Sequence, residues 1–325
     1  MALTEVVLGV DIGGTNTKYG IVDRAGRSLA ETSIPTNARE PAEDLIARLH
    51  DGFTHMLAPL KATHVLCGIG MGAPNANFFR GTVENPPNLN WKGIVPVADM
   101  VRKHYDLPVA LTNDANAAAL GEMLYGAAKG LKNFIVITLG TGLGSGIVSG
   151  GELVYGADGF AGEIGHTMVD PDGRECGCGL RGHLETYASA PGLCRTVGEL
   201  LAMRKDESGL RAIAPRDLTS RMVADAAHAG DPIAAEAFEI TGQILGMKLA
   251  DSVAHLSPEA IILFGGLAAA GPLIFEPTAR SLEEHLLPIF RNKVKLLPSG
   301  LHEGDTAVLG AAALIWNEIL KQQKH

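Results

Sequence analysis

The spacing of apolar residues predicts a chain that opens with a meander of strands and then alternates strands with helices. Apolar runs at residues 5–10 and 18–23 flank the turn sequence DIGGTNT, and residues 29–35 suit a third strand. Residues 41–60 carry apolar positions at helical spacing, with Pro41 where it suits the first turn of a helix. This order differs from the strand–turn–helix unit that opens a dinucleotide-binding fold.

The same order of elements occurs a second time. Residues 133–151 again have the pattern of strand, glycine-rich turn and strand, after an alanine-rich helix that begins near Asp114. We interpret this as an internal repeat, which predicts an α/β protein of two similar halves with a boundary near residue 115. Further strands are expected at 63–72, 107–113, 259–271 and 292–300, a loop at 75–94, and helices at 95–105, 191–204, 217–228, 231–255 and 305–323, the last capped by Asp305.

Composition narrows the class of protein. The 325 residues are 46% apolar and 19% charged, which is typical of a compact enzyme and, by length, favours two domains. The formal net charge is −9 and no long run of Lys and Arg occurs, which argues against a general nucleic-acid surface. An anionic ligand would therefore need local hydrogen-bond donors and a divalent cation.

The chain gives no sign of export or of a membrane partner. It begins without a charged segment followed by an apolar one, and no apolar run is long enough to span a bilayer, so we expect a cytoplasmic protein. Four cysteines in a chain of this length do not form a disulfide framework, and Cys67 and Cys194 have the pattern of buried thiols.

Glycine-rich turns in matching positions of the two halves indicate phosphate binding. In DIGGTNTK, residues 11–18, glycines let backbone N–H groups approach a phosphate, threonines add hydroxyl donors, and Asp11 is placed to hold Mg²⁺ directly or through water. LGTGLGSG, residues 139–146, is the second such turn, and FGGLAAAG, residues 264–271, offers bare backbone to a purine ring. If only one of these sequences were present, an ordinary hairpin turn would be enough to explain it. The candidate nucleotide-binding residues are Asp11, Gly13, Gly14, Thr15, Thr17, Lys18, Gly140, Thr141, Gly142, Gly265 and Gly266.

The sequence NDAN, residues 113–116, lies at a predicted junction of strand and helix. A kinase that acts on a hydroxyl needs a carboxylate to accept its proton, and Asp114 is the candidate base, with Asn113 on a neighbouring hydroxyl. An ordinary helix cap is the alternative, because Asp and Asn are common before an alanine-rich helix.

Residues 163–185, EIGHTMVDPDGRECGCGLRGHLE, contain a candidate metal site. Cys176 and Cys178 are too close in sequence for a comfortable mutual disulfide, and His166 and His183 lie on either side of them. Two thiolates and two imidazoles suit a closed tetrahedral Zn²⁺ site, whereas free thiols and surface histidines are the alternative.

Together these motifs resemble the ROK family of sugar kinases, within the actin/hexokinase/Hsp70-like ATPase fold. DIGGTNTK, ENPPNLNW, NDANAAALGE, LGTGLGSG, E-x-x-H, C-x-C-G-x-x-G and FGG occur in family order over nearly the whole chain. The resemblance implies two RNase H-like domains with a cleft between them: a small domain of residues 1–115 plus 305–325, and a large domain of residues 116–304 that carries the zinc loop. It also implies a homodimer.

The resemblance further implies an ATP- and Mg²⁺-dependent hexose kinase that acts on the 6-hydroxyl, with glucose favoured. Asp114 matches the family's catalytic aspartate, and Zn²⁺ at His166, Cys176, Cys178 and His183 fixes a loop rather than polarising the substrate. The residues expected to hold the sugar are Gly72, Asn88, Asn113, Asp114, Glu163, His166 and Glu185.

Two positions depart from the family pattern, and several functions remain open. His183 stands where the family has a third Cys, and Asn75 replaces a glycine of the family's G-x-P-G. Kinases of N-acetylmannosamine, N-acetylglucosamine, fructose or mannose share the residues that hold the common hydroxyls, and polyphosphate could replace ATP. A sugar-responsive regulator would carry a helix-turn-helix before the first strand, where only MALT precedes EVVLGV. A non-catalytic sugar-binding protein would leave the phosphate turns without a role.

Overall fold

The computed structural model describes residues 3–301 and 306–323, and within them the chain forms two compact units. Unit 1 consists of residues 1–130, 153–161 and 300–325, and unit 2 of residues 131–152 and 162–299. Each unit contains one five-stranded mixed sheet. Sheets with helices against them form the expected α/β architecture.

The sheet of unit 1 begins with the predicted meander. Its strands in spatial order are β3 (Ser28–Pro35), β2 (Asn16–Asp23), β1 (Thr4–Ile12), β4 (His64–Gly72) and β8 (Val109–Thr112). Strand β2 is antiparallel to both β3 and β1, whereas β1, β4 and β8 are parallel to one another. A small antiparallel sheet of β5 (Ala76–Asn77), β6 (Thr82–Glu84) and β7 (Ile94–Val95) occupies part of the region that the sequence predicted as a loop.

Residues on β1 alternate between two buried faces. Val6, Leu8 and Val10 pack with α1 (Ala42–Leu57) and α2 (Val97–Arg102), whereas Val7 faces α8 (Thr306–Gln322). This period of two is what an extended strand requires, and burial on both faces explains why β1 is almost continuously apolar.

The C-terminal helix α8 lies directly on the sheet of unit 1. A methyl group at Gly9 or Gly70 would collide with the backbone carbonyl of Val308 or Ala311, so glycine permits this close approach. The predicted cap of this helix, Asp305, lies outside the described residues.

Helix α3 (Asp114–Leu124) also belongs to unit 1 and packs against α8. A methyl group at Gly121 would lie 3.2 Å from Cα of Gly310, which is a close helix–helix contact. The boundary therefore falls at residues 130–131 and not near residue 115, because the sequence repeat begins after this helix.

Unit 2 repeats the topology of the first sheet. Its spatial order is β11 (Glu152–Leu153), β10 (Leu143–Ser149), β9 (Phe134–Leu139), β12 (Ala260–Phe264) and β13 (Lys295–Pro298). Strands β9 and β10 are antiparallel, and β12 is parallel to both β9 and β13. Its helices are α4 (Ala190–Met203), α5 (Ser220–His228), α6 (Pro232–Leu256) and α7 (Pro272–His285).

Helix α7 was missing from the sequence prediction. Pro277 lies inside it, and proline in a helix interior removes one backbone hydrogen bond, so the sequence signal was weak. The helix forms because Ile274 and Leu282 are buried, and because glycines of α6 let its backbone approach closely. None of the helices in the described ranges combines the length and the apolar character that a membrane span requires.

Candidate active site

Three parallel strands of unit 1 end side by side, and the candidate catalytic residues follow them. Asp11 of β1 is in register with Gly72 of β4, and Gly72 is in register with Thr112 of β8. Asp114 comes two residues after Thr112, at the start of α3. The carboxyl ends of parallel strands are a common place for ligands in α/β proteins, because loops and helix N-termini converge there.

Gly72 keeps the space between the two aspartates open. A methyl group at this position would lie 3.4 Å from Oδ1 of Asp11 and 3.8 Å from Cα of Asp114. The structure thus brings together Asp11, Gly72 and Asp114, which the sequence placed in three separate motifs.

Both aspartates are held in surroundings that disfavour their charged forms. Burial first, and the neighbouring charge of Asp114 second, raise the pKa of Asp11 to about 7, against the opposing effect of Lys18. Asp114 keeps contact with solvent, yet the surrounding protein removes part of its hydration and raises its pKa, against a hydrogen bond from Ala115. Raised pKa values of this kind occur at sites that exchange protons or bind cations.

Asn113 and Asp114 also cap helix α3. The backbone N–H of Ala115 donates to Oδ1 of Asn113 at 2.7 Å and lies 2.8 Å from Oδ1 of Asp114. Capping occupies one oxygen of each side chain. The amide group of Asn113 and Oδ2 of Asp114 remain the atoms suited to a substrate, so a cap and a catalytic role are compatible.

The first glycine turn is closed by backbone and side-chain bonds. The N–H of Gly13 donates to the carbonyl of Asn16 at 3.1 Å, and the hydroxyl of Thr36 donates to the carbonyl of Gly13 at 2.7 Å. Thr15 is exposed at this turn, and Lys18 is half-buried on β2.

The position of Thr17 corrects one predicted role. Its side chain is fully buried and its hydroxyl lies 2.9 Å from that of Thr36, so it supports the turn rather than offering a donor to a phosphate. Alternation along β2 explains this, because Thr17 faces inward between Asn16 and Lys18. Thr36 was missed, since nothing in its sequence neighbourhood distinguishes it from an ordinary loop threonine.

Two glycine turns of unit 2 lie at one edge of its sheet. The N–H of Gly140 donates to the carbonyl of Gly142 at 3.0 Å between β9 and β10. Gly265, at the end of the neighbouring strand β12, has φ of +102°, and a methyl group there would lie 2.6 Å from the carbonyl oxygen of Leu139. Among the described residues, and apart from its own chain neighbours, no atom lies within 4 Å of a methyl placed on Gly140 or Gly266, so these backbones are open to a ligand.

The four predicted metal ligands come together in unit 2. Ligand atoms of His166, Cys176, Cys178 and His183 all lie within 4.8 Å of one another. The two histidine Nδ1 atoms are 3.3 Å apart, and they lie 3.8 Å and 3.3 Å from the sulfurs of Cys176 and Cys178 respectively. Tetrahedral Zn²⁺ requires separations of about 3.3 Å between nitrogens and about 3.5 Å between nitrogen and sulfur, so the donor set fits zinc.

Arg174 anchors the loop that carries these ligands, and sequence reasoning did not identify it. Its guanidinium is buried, pairs with Glu199 of α4 through two hydrogen bonds of 3.1 Å and 2.6 Å, and lies over the ring of Tyr187 at 4.6 Å. Two hydrogen bonds from one guanidinium to one carboxylate fix the orientation of the arginine side chain and also pair its charge. An arginine in a polar loop gives no sequence signal that it is buried.

The acidic residues beside the metal group have different surroundings. Oε2 of the exposed Glu163 lies 3.9 Å from Nε2 of His166, the ring nitrogen that faces away from the metal group. Glu185 is half-buried, and its Oε2 accepts a hydrogen bond of 3.0 Å from the N–H of Leu143. In unit 1, Asn88 is exposed and its side chain covers Gly14.

The two repeated sheets and their glycine turns define an α/β protein of the two-domain, actin-like ATPase class. The profile of the ROK family matches residues 7–318, and the chain belongs to this family. A glucokinase from Halalkalibacterium halodurans is 35% identical in an alignment that covers 98% of this chain and 96% of the relative.

Solved structures agree with this assignment. A ROK family glucokinase from Streptomyces griseus, in complex with glucose and AMPPNP, is 35% identical with a TM-score of 0.78 and covers 95% of this chain and 98% of its own. A ROK family transcriptional regulator, a homologue of the E. coli MLC protein, is 28% identical with a TM-score of 0.86, over 97% of this chain and 78% of the regulator. The family thus includes enzymes and regulators. The residues of the candidate site must therefore indicate to which of the two groups this chain belongs.

Proposed function

We propose that this protein is an ATP-dependent hexose kinase that transfers the γ-phosphoryl group of ATP to the 6-hydroxyl of glucose. The observation that carries the proposal is Asp114, a carboxylate of raised pKa at the ends of parallel strands, beside Asp11. The glucokinase relatives, similar over nearly their whole lengths, support the same reaction.

Asp114 acts as the general base. Its Oδ2 accepts the proton of the sugar 6-hydroxyl while the hydroxyl oxygen forms a bond to the γ-phosphorus and the bond to the β-phosphate oxygen breaks, which releases ADP. A raised pKa makes the carboxylate a better proton acceptor than an ordinary surface aspartate. Asn113 orients the sugar by hydrogen bonding a neighbouring hydroxyl.

The glycine turns bind the nucleotide. In unit 1, Gly13, Gly14 and Thr15 are the candidates to present backbone and hydroxyl groups to a phosphate, with Lys18 as a positive charge. In unit 2, Gly140, Thr141 and Gly142 are the candidates for the same role, and Gly265 and Gly266 are the candidates for contact with the purine. Asp11 would hold Mg²⁺ directly or through water. The bound Mg²⁺ supplies positive charge that offsets the negative charge of the transferred phosphoryl group.

The candidate hexose-binding residues of unit 1 are Gly72, Asn88 and Asn113. Those of unit 2 are Glu163, His166 and Glu185. His166, Cys176, Cys178 and His183 would hold zinc, which would order the loop and fix the orientation of the His166 ring. The imidazole Nε2–H then donates to a sugar hydroxyl. The homodimer expected from the resemblance stays a prediction.

The sugar specificity is tested by ADP release from MgATP with glucose, mannose, fructose, N-acetylglucosamine and N-acetylmannosamine, each at subsaturating concentration. The highest kcat/KM is expected for glucose. A higher value for an N-acetyl sugar would retain the mechanism and replace the substrate. Polyphosphate in place of ATP tests the donor, and specific DNA binding without turnover would favour the regulator.

A further inference from the structure

Glu185 connects the metal loop to the glycine turn of unit 2. It lies two residues after His183, in a short 3-10 turn, Leu184–Thr186. Its Oε2 accepts the 3.0 Å hydrogen bond from Leu143, and a methyl group at Gly142 would collide with the same oxygen. Its Oε1 lies 3.9 Å from the sulfur of Cys176. A single carboxylate thus contacts both the candidate metal group and the turn proposed to bind phosphate.

Neighbouring residues hold the same turn at two more points. Gly165, which precedes His166, packs so closely on the carbonyl of Leu143 that a methyl group there would collide with it. The N–H of Ala190 donates to the carbonyl of Gly140 at 2.9 Å. The turn is therefore positioned by the segments on either side of the metal ligands, and Glu185 provides the charged contact.

Unit 1 contains a similar relationship. A methyl group at Gly14 would lie 2.9 Å from Cβ of Asn88, so a candidate sugar-binding residue again covers a candidate phosphate turn. In each unit, therefore, a candidate sugar-binding side chain packs on the glycine turn that is proposed to bind phosphate.

We infer that Glu185 is a positioning residue for the nucleotide turn as well as a sugar ligand, and that hexose and nucleotide binding are coupled through its carboxylate. This inference rests on the proposed function. A carboxylate has lone pairs for both the N–H of Leu143 and a sugar hydroxyl. A ligand that fixes the side chain lowers the ordering cost for the second ligand, and such coupling is reciprocal.

The first test measures AMPPNP binding by calorimetry in the absence of sugar. Glu185→Ala is expected to weaken AMPPNP binding by roughly tenfold, because the turn loses a charge-assisted hydrogen bond. Glu163→Ala is the matched control, since Glu163 is exposed and lies beside the same metal group. It should weaken glucose binding and leave AMPPNP binding as in the wild type. Glu185→Gln keeps an acceptor oxygen and should restore most of the AMPPNP affinity.

The second test works in the opposite direction and does not remove Glu185. Gly142→Ala places a methyl group against the Glu185 carboxylate, so glucose binding should weaken severalfold without any nucleotide present. Glucose is also expected to tighten AMPPNP binding in the wild type and not in Glu185→Ala.

Unchanged AMPPNP affinity in Glu185→Ala, with glucose binding weakened, would overturn the inference and leave the proposed function in place. Equal losses of AMPPNP affinity in Glu163→Ala and Glu185→Ala would also overturn it. Failure of the proposed function has a different signature, which is the absence of sugar-dependent ADP release by the wild-type protein.

Discussion

The carboxylate of Asp11, at the end of β1, interacts with that of Asp114, which lies two residues beyond β8, on the other side of β4. Burial and then the charge of Asp114 raise the pKa of Asp11 to about 7, while Lys18 lowers it. Such an arrangement costs stability in the ligand-free protein. It becomes useful when a cation binds, because Mg²⁺ offsets the repulsion that the chain itself leaves uncompensated.

The first prediction follows from this pKa. Below about pH 7 a proton occupies Asp11, so Mg²⁺ must compete with it. The Mg²⁺ concentration that gives half-maximal activity should therefore rise by up to roughly tenfold for each pH unit below 7. Initial rates across a Mg²⁺ titration at pH 6, 7 and 8 measure this. A half-maximal concentration that does not change with pH would argue against Asp11 as the metal-binding carboxylate.

The pH dependence of protein stability is an independent test of the raised pKa of Asp11. The pKa is raised in the folded protein from an ordinary value of 3.8, so the folded state binds more protons and the cost of ionising Asp11 develops as the pH rises from about 4 to about 7. Asp11→Asn removes that cost. The variant should have a higher Tm than the wild type at pH 8 and the same Tm at pH 4. A lower Tm at pH 8 would contradict the pKa assignment.

The second prediction concerns Asp114 as the base. Asp114→Asn keeps an oxygen that accepts from the N–H of Ala115, so helix α3 and the fold should be retained. Turnover should fall by about 10²–10⁴-fold, which is the usual contribution of a general base, while the KM for glucose changes little. Steady-state kinetics and a thermal melt measure the two effects. Turnover close to that of the wild type would remove Asp114 from the mechanism.

The residues of this region show what the sequence could predict. NDAN and DIGGT were identified because their residue types and their places after apolar runs are both visible in the sequence. The register of Asp11, Gly72 and Thr112 was not visible, because it depends on pairing between strands far apart in the chain. The burial of Thr17 was missed. Its hydroxyl next to a glycine turn suggested phosphate binding, whereas the alternation of side chains along β2 places it on the inner face.

The third prediction concerns zinc. Protein purified without a His-tag should contain one Zn²⁺ per chain, and Cys178→Ser should lose most of it. Cys194→Ser is the control, because its thiol lies outside the metal group and donates to the carbonyl of Leu218. His183→Cys recreates the family pattern and should retain the metal. Elemental analysis measures the zinc content of the wild-type protein and of each variant. A content well below one zinc per wild-type chain would refute the proposed zinc site.

The fourth prediction concerns Glu122, a buried carboxylate at the end of α3. Its Oε2 accepts hydrogen bonds from the N–H groups of Ala127 and Gly300 at 2.6 Å and 3.2 Å. Glu122→Ala removes a charged acceptor from both N–H groups and should lower the free energy of unfolding by about 1–3 kcal/mol, since the exposed Gly300 can bond to water instead. Urea unfolding measures the loss.

A control variant distinguishes the loss of the hydrogen bonds of Glu122 from the mere removal of a negative charge. Glu43 is exposed in the first turn of α1, so Glu43→Ala should cost less than about 1 kcal/mol. Equal losses in the two variants would show that the buried hydrogen bonds of Glu122 contribute little to stability.

Contacts such as those of Glu122 and Arg174 mark the limit of sequence reasoning for this protein. Each is a charged residue in a segment of ordinary polarity, and each becomes buried only because distant backbone groups surround it. The internal repeat, by contrast, was visible because two glycine turns lie between apolar runs. The close contact of α3 with α8 at Gly121 and Gly310 joins elements far apart in the sequence, and glycine content alone does not predict it.

The most direct test of the central claim is sugar-dependent ADP release from MgATP, with the product identified by NMR. The account predicts that glucose stimulates ADP release by zinc-replete wild-type protein, that glucose 6-phosphate accumulates in equal amount, and that Asp114→Asn lowers both rates by about 10²–10⁴-fold. Absence of ADP release with glucose and with every other hexose tested would contradict the assignment of this chain as a hexose kinase.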